Sequence, residues 1–100
     1  MNDQKSIQRL IEEFGYTISS AKMIWTKINE ISPDLFIAFM NWWENGEQPD
    51  VIVEGISYKV LVTEYSMNPI AAILTLDWVK RDPKTAKESL KKGYDIIKLN

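Results

Sequence analysis

Asn68-Pro69-Ile70-Ala71-Ala72-Ile73-Leu74-Thr75-Leu76-Asp77-Trp78-Val79-Lys80 opens on a helix-start signal and is then apolar almost all round. The asparagine side chain accepts from the exposed N–H groups of a first turn, and proline at the first helical position gives up only an N–H that would be unpaired there. A helix with no polar face is buried at the centre of a bundle or partly covered by another chain. The reading is therefore a mainly all-α fold in which this helix is either central or borders a contact surface.

The same signal recurs on both sides of it. Ser32-Pro33-Asp34 predicts a helix from Pro33 to about Asn45, where Asn45-Gly46 ends it, with Asp34 at the positive end of the helix dipole. Asp82-Pro83 starts a last helix with Ala86 and Leu90 inward and Lys84, Lys87, Lys91 and Lys92 outward, ending near Gly93. Beyond it Tyr94, Ile96, Ile97 and Leu99 are too apolar to be left in water, so they dock back or continue the helix.

Toward the N-terminus, Ile7, Leu10, Ile11 and Phe14 form an i, i+3, i+4, i+7 stripe, and Gly15 sits where a C-terminal cap belongs. Thr17 caps a second helix carrying Ile18, Ala21, Ile24, Trp25, Ile28 and Ile31 at the same period. Glu47-Gln48-Pro49-Asp50 is the clear loop, and two readings compete behind it. In one, Glu54-Gly55 turns a hairpin joining Val51-Ile52-Val53 to Ile56-Ser57-Tyr58. In the other, preferred because an isolated hairpin is marginal, Ser57 caps a helix with Val60, Leu61 and Tyr65 on its buried face, after at most a short strand. The sum is a compact bundle of five to six short helices in a single domain, 1–100, arranged as two helix-turn-helix pairs. A shift of 51 residues sets Leu10, Ile11, Glu13, Phe14 and Ala21 over Leu61, Val62, Glu64, Tyr65 and Ala72, an echo that either duplication or two similar helix pairs would produce.

Composition removes whole classes of chemistry. The chain of 100 residues has no cysteine and no histidine, which excludes thiolate and imidazole catalysis and the usual zinc and iron-sulfur sites. Oxygen-ligand metals stay open in principle, but the carboxylates lack paired spacing or a calcium-loop pattern, and the glycines stand singly, so no phosphate-cradling loop exists. Asp77, inside the apolar helix, is the carboxylate expected to be partly buried, as a partner for Lys80, Arg81 or Trp25. The reading is a non-enzymatic protein with no catalytic, cofactor or metal residues.

Two surfaces remain as candidates. In the Pro33 to Asn45 helix, Leu35, Phe36, Ile37, Phe39, Met40, Trp42 and Trp43 occupy seven of nine consecutive positions, more than one face can bury. Either this helix is a central one wrapped by the others, or Phe36, Phe39, Met40, Trp42 and Trp43 form an aromatic-anchored partner or self-association surface, as a homodimer or on a larger protein. The alternative is helix-turn-helix DNA binding, since Leu10, Ile11, Gly15, Tyr16, Ala21 and Ile24 approximate that motif's spacing. It would use Ser19, Ser20, Lys22 and Lys27 on the second helix, with Lys84, Lys87 and Lys91 as phosphate contacts. Charge is uneven in a way that bears on this: residues 1–79 carry five basic against eleven acidic side chains, and residues 80–100 carry seven against three. A basic end on an acidic body suits an acidic partner or a plain solvated face.

Met67-Asn68-Pro69-Ile70-Ala71-Ala72, Leu76-Asp77-Trp78, Asp82-Pro83 and Ala86 together resemble small uncharacterised proteins carried by phages and mobile elements of Gram-positive bacteria. The resemblance covers the second half of the chain and carries no catalytic motif. It implies a protein that binds and blocks, or recruits, a larger host protein. Location is read as cytoplasmic, with no membrane contact: the longest apolar runs reach about half of the ~20 residues a span needs, and no apolar run follows Met1-Asn2-Asp3-Gln4-Lys5.

Overall fold

The structure, a computed structural model, describes residues 3–99, with side chains described through Gly93. It is mainly α-helical, as expected, and its contacts divide the chain into two units, Met1–Ile31 and Ser32–Asn100. Among the described residues no helix is long and apolar enough to cross a membrane.

The first unit is a helical hairpin of α1 (Asp3–Phe14) and α2 (Ile18–Glu30). Gly15 adopts φ +74°, the left-handed conformation in which a side chain is strained, and its N–H closes the end of α1 on Ile11 O at 3.0 Å. Thr17 then caps α2, its Oγ1 accepting from Ser20 N at 3.1 Å. Leu10, Ala21, Trp25 and Ile28 are buried, and the Trp25 indole N–H donates to Asp3 Oδ1 at 3.0 Å. Ile18 departs from the expected inward stripe, being 61% exposed. Cα–Cβ bonds tilt toward a helix N-terminus, so a side chain at the first position leans off the helix end into water.

The second unit is built around α5 (Pro69–Arg81), which packs against α3 (Pro33–Asn45), α4 (Tyr58–Thr63), α6 (Pro83–Leu99) and β1 (Ile52–Val53). Ile70, Ala72, Ile73, Leu76 and Val79 are buried along it. The helix without a polar face is thus the central one. Asn68 Oδ1 accepts from Ala71 N at 2.7 Å, the cap its sequence announced.

Both readings of residues 51–58 hold at once. β1 pairs antiparallel with β2 (Ile56–Ser57) through Ile52↔Ser57 and Val53↔Ile56. Glu54 and Gly55 have φ of 51° and 80°, the two positive values of a tight hairpin turn. Ser57 ends the second strand and caps α4, accepting from Val60 N at 3.1 Å. The preference for a helix after at most one short strand is corrected in this respect: strand lies on both sides of the turn. Tyr65 falls beyond α4, whose C-cap is Glu64, and Ser66 turns the chain at φ 57°.

The helix end expected near Gly93 is corrected: α6 runs on to Leu99, the continuation that was also open for the residues after it, because Gly93 takes none of the positive φ values that reverse the chain at Gly15 and Gly46. The side chains of Tyr94, Ile96, Ile97 and Leu99 lie outside the described residues. The 51-residue echo also divides. The spans of α2 and α5 coincide under that shift, whereas α1 has 12 residues where α4 has 6, residues 54–57 of the shifted span lying in the hairpin and 64–65 beyond α4.

Candidate functional site

The aromatic helix α3 sorts its side chains by angle. Leu35, Phe39 and Trp43, at i, i+4 and i+8, form the buried stripe, and the Phe39 ring centroid lies 5.3 Å from that of Trp43 and 5.9 Å from that of Trp42. Phe39 is fully buried and Trp43 is 7% exposed. As surface residues these two candidates are therefore corrected: one stripe of a helix must face the core, and they are on it. Phe36 and Met40, four residues apart, are half-buried on one flank of that stripe, and Trp42 is half-buried on the other.

Ile37 is the residue that the aromatic count obscured. About 100° per residue puts it some 200° round the helix from Phe39, so burying Phe39 turns Ile37 outward. It is 58% exposed. Asp34 and Asn41 share its face one turn away in each direction. Gly46 ends α3 at φ +74°, its N–H bonded to Trp42 O at 2.7 Å, and the reversed chain brings residues 47–51 alongside. A cleft of about 270 Å³ results, with Ile37, Ala38, Pro49 and Val51 as its apolar lining and Asp34, Glu47 and Asp50 as its carboxylates. The sequence signal for this site was present in the register Leu35, Phe39, Trp43, which leaves Ile37 opposite. The loop's position against α3 had no such signal.

A polar cluster fixes the N-terminal end of α3. Ser32 is the N-cap, but its side chain makes no cap hydrogen bond. Instead the Ser32 N–H donates to Asp77 Oδ1 at 3.3 Å, and its Oγ accepts from Lys80 Nζ at 3.2 Å. Lys80 Nζ also reaches both oxygens of Asp34, at 2.8 and 3.0 Å, and Arg81 Nε donates to Asp77 Oδ2 at 2.8 Å. Asp77 is 7% exposed, as its place in an apolar helix predicted; of the partners named for it, Arg81 is the one present, while Lys80 turns to Asp34 and Trp25 to Asp3.

The hydrogen bond from Lys80, with a second from Ser32, holds the Asp34 carboxyl down at about 2, from 3.8. Because the folded value lies below the unfolded one, the pair's stabilisation is complete above about pH 4 and is lost as pH falls through about 2. A carboxyl-carbon NMR titration should show this midpoint for Asp34, moving back toward 3.8 in Lys80→Met.

The residues of the DNA-binding alternative fall on two helices, α2 of the first unit and α6 of the second. Ser19, Lys22 and Lys27 are exposed on α2, and Ser20 is half-buried with its N–H on Thr17. Ile18 and Met23, 61% and 56% exposed, stand among them where base-reading donors would be needed. The first unit holds four basic and four acidic residues. Lys84, Lys87 and Lys91 are exposed on α6, in the second unit, and Lys87 Nζ lies 3.7 Å from Glu54 Oε2. Comparison with models of protein families, with curated proteins and with solved structures finds no match.

Proposed function

We propose that this chain is a non-enzymatic protein-interaction module that docks a partner on the outer face of α3 and in the cleft beside it. The observation that carries the reading is Ile37, exposed at the mouth of a cleft with an apolar lining and three carboxylates. An isoleucine in that position gains most of a side-chain burial, about 1.5–3 kcal/mol, when a partner covers it. The cleft is smaller than the roughly 300–1,000 Å³ of a ligand pocket, and admits one side chain of a partner. Asp34 is paired with Lys80, so Glu47 and Asp50 set the partner's chemistry: an apolar side chain flanked by Lys or Arg. Half-buried Phe36 and Met40, beside Ile37, extend the apolar contact. A larger host protein is the partner that the sequence resemblance alone implies.

Capture from a host extract by the immobilised chain, compared with its Ile37→Glu variant, tests the reading. Ile37→Glu should change unfolding free energy by no more than about 0.5 kcal/mol, as exposed positions do. It should weaken capture about thirtyfold or more, as loss of a central anchor does. Equal capture by both proteins would sink the proposal. Light scattering that reads twice 11.6 kDa for the wild type, and 11.6 kDa for the variant, would make the partner a second copy of the chain.

The exposed Lys84, Lys91 and Lys92 favour a second reading, contact with nucleic-acid phosphates along α6. That reading requires a shifted band with duplex DNA at low salt whose affinity falls steeply as salt rises. The docking reading predicts no shifted band at any salt.

A further inference from the structure

On its other side the segment 48–50 borders a second, larger pocket of about 430 Å³, lined by Gln48, Pro49, Asp50, Tyr58, Lys59 and Val62 among others. Tyr58 is the informative residue. It is 2% exposed, its backbone N–H is bonded to Val51 O at 2.9 Å, and its hydroxyl has no hydrogen-bond partner among the described residues. No wholly enclosed side-chain polar atom in the described structure lacks a partner, so this hydroxyl keeps some contact with solvent, and Tyr58 is among the residues that line the pocket. Burial raises the phenol above its ordinary 10.0, which keeps it protonated and able to donate.

The rim carries two opposite charges that are not spent on each other. Asp50 and Lys59 are both exposed, and neither forms an ion pair among the described residues. Pro49 and Val62 supply apolar wall to the same pocket. An anion alone would meet Asp50, and a cation alone would meet Lys59. The volume is at the low end for a ligand pocket, too small for a nucleotide-sized cofactor. We infer that this pocket is a binding site for a small zwitterion with an apolar body, the chemistry of a free aliphatic α-amino acid. Lys59 and the Tyr58 hydroxyl take the carboxylate, Asp50 takes the ammonium group, and the side chain lies against Pro49 and Val62.

Titration of the full chain with leucine, followed by calorimetry and by amide NMR shifts, tests this; residues 48–50 border both pockets, so shifts at 58–62 are what separate it from the docking cleft. Leucine should bind saturably at millimolar concentration or below, perturbing residues 48–50 and 58–62. Isocaproate, which lacks the ammonium group, and isoamylamine, which lacks the carboxylate, should each bind at least tenfold more weakly. Tyr58→Phe keeps the packed ring and removes one hydrogen bond, for a loss of about threefold to tenfold. Lys59→Gln, a change at an exposed position, should remove the preference for leucine over isoamylamine while leaving the melting temperature unchanged. Absence of saturable shifts with millimolar leucine, or isocaproate binding as tightly as leucine, would overturn the assignment.

Discussion

Phe39→Ala should cost the fold about 3–5 kcal/mol, the largest single loss expected in the chain. Phe39 is fully buried, and its ring lies 5.3 and 5.9 Å from the rings of Trp43 and Trp42. Alanine removes the ring and leaves a void that two large indoles cannot close by small adjustments, so the transfer and cavity losses add. Domains of this size are stable by about 5–15 kcal/mol, which makes the change a large fraction of the whole. Urea unfolding followed by tryptophan fluorescence reads it directly. A loss under about 1 kcal/mol would mean that the ring is not in the core, and that the sorting of α3 into a buried and an exposed face is wrong.

Asp77→Ala should cost about 1–3 kcal/mol, and Asp77→Asn clearly less. Oδ1 of this nearly buried carboxylate accepts the Ser32 N–H, and Oδ2 accepts from Arg81 Nε. Ser32 does not cap α3 with its own side chain; Asp77 on the neighbouring helix accepts the N–H of this N-cap residue, a donor outside the α3 ladder. Alanine leaves the Ser32 N–H without this acceptor, at the desolvation cost of an unpaired donor. Asparagine keeps an acceptor for Ser32 and loses the charge facing Arg81, whose side chain is 69% exposed and is readily solvated by water. Equal losses for the two variants in denaturant unfolding would show that the ion pair, and not the helix-end contact, is what Asp77 contributes.

The parts of the fold legible in the sequence were those fixed by local chemistry. Thr17, Ser57 and Asn68 cap their helices with hydrogen bonds, and Gly15 and Gly46 reverse the chain in the left-handed conformation. The apolar span from Pro69 onward is the central helix of the second unit, one of the two placements its composition left open. Ser32 shows where local reasoning stopped: its cap signal was correct for position, but Asp77, 45 residues away, makes the bond to its N–H. Long-range partners of this kind have no signature in spacing.

The functional surface was harder to read because residue type pointed one way and helical angle the other. Aromatic character marked Phe39 and Trp43, which the core takes, and passed over Ile37, which it leaves out. Assigning the seven apolar residues to angles around Leu35, Phe39 and Trp43 recovers Ile37 from sequence. The cleft does not follow from the same step, because the path of residues 47–51 beside α3 depends on tertiary contacts. For the same reason nothing in the spacing brought Tyr58, Asp50 and Lys59 to one pocket.

Docking through the outer face of α3 is tested most directly by photo-crosslinking from position 37. A photoreactive side chain placed there, and at Ile18 as a control of similar exposure on the first unit, is irradiated in host extract. The account predicts a discrete crosslinked species from position 37 that is absent from position 18 and is competed away by unlabelled wild-type chain. Equal labelling from both positions, or no competed species from position 37, would contradict it.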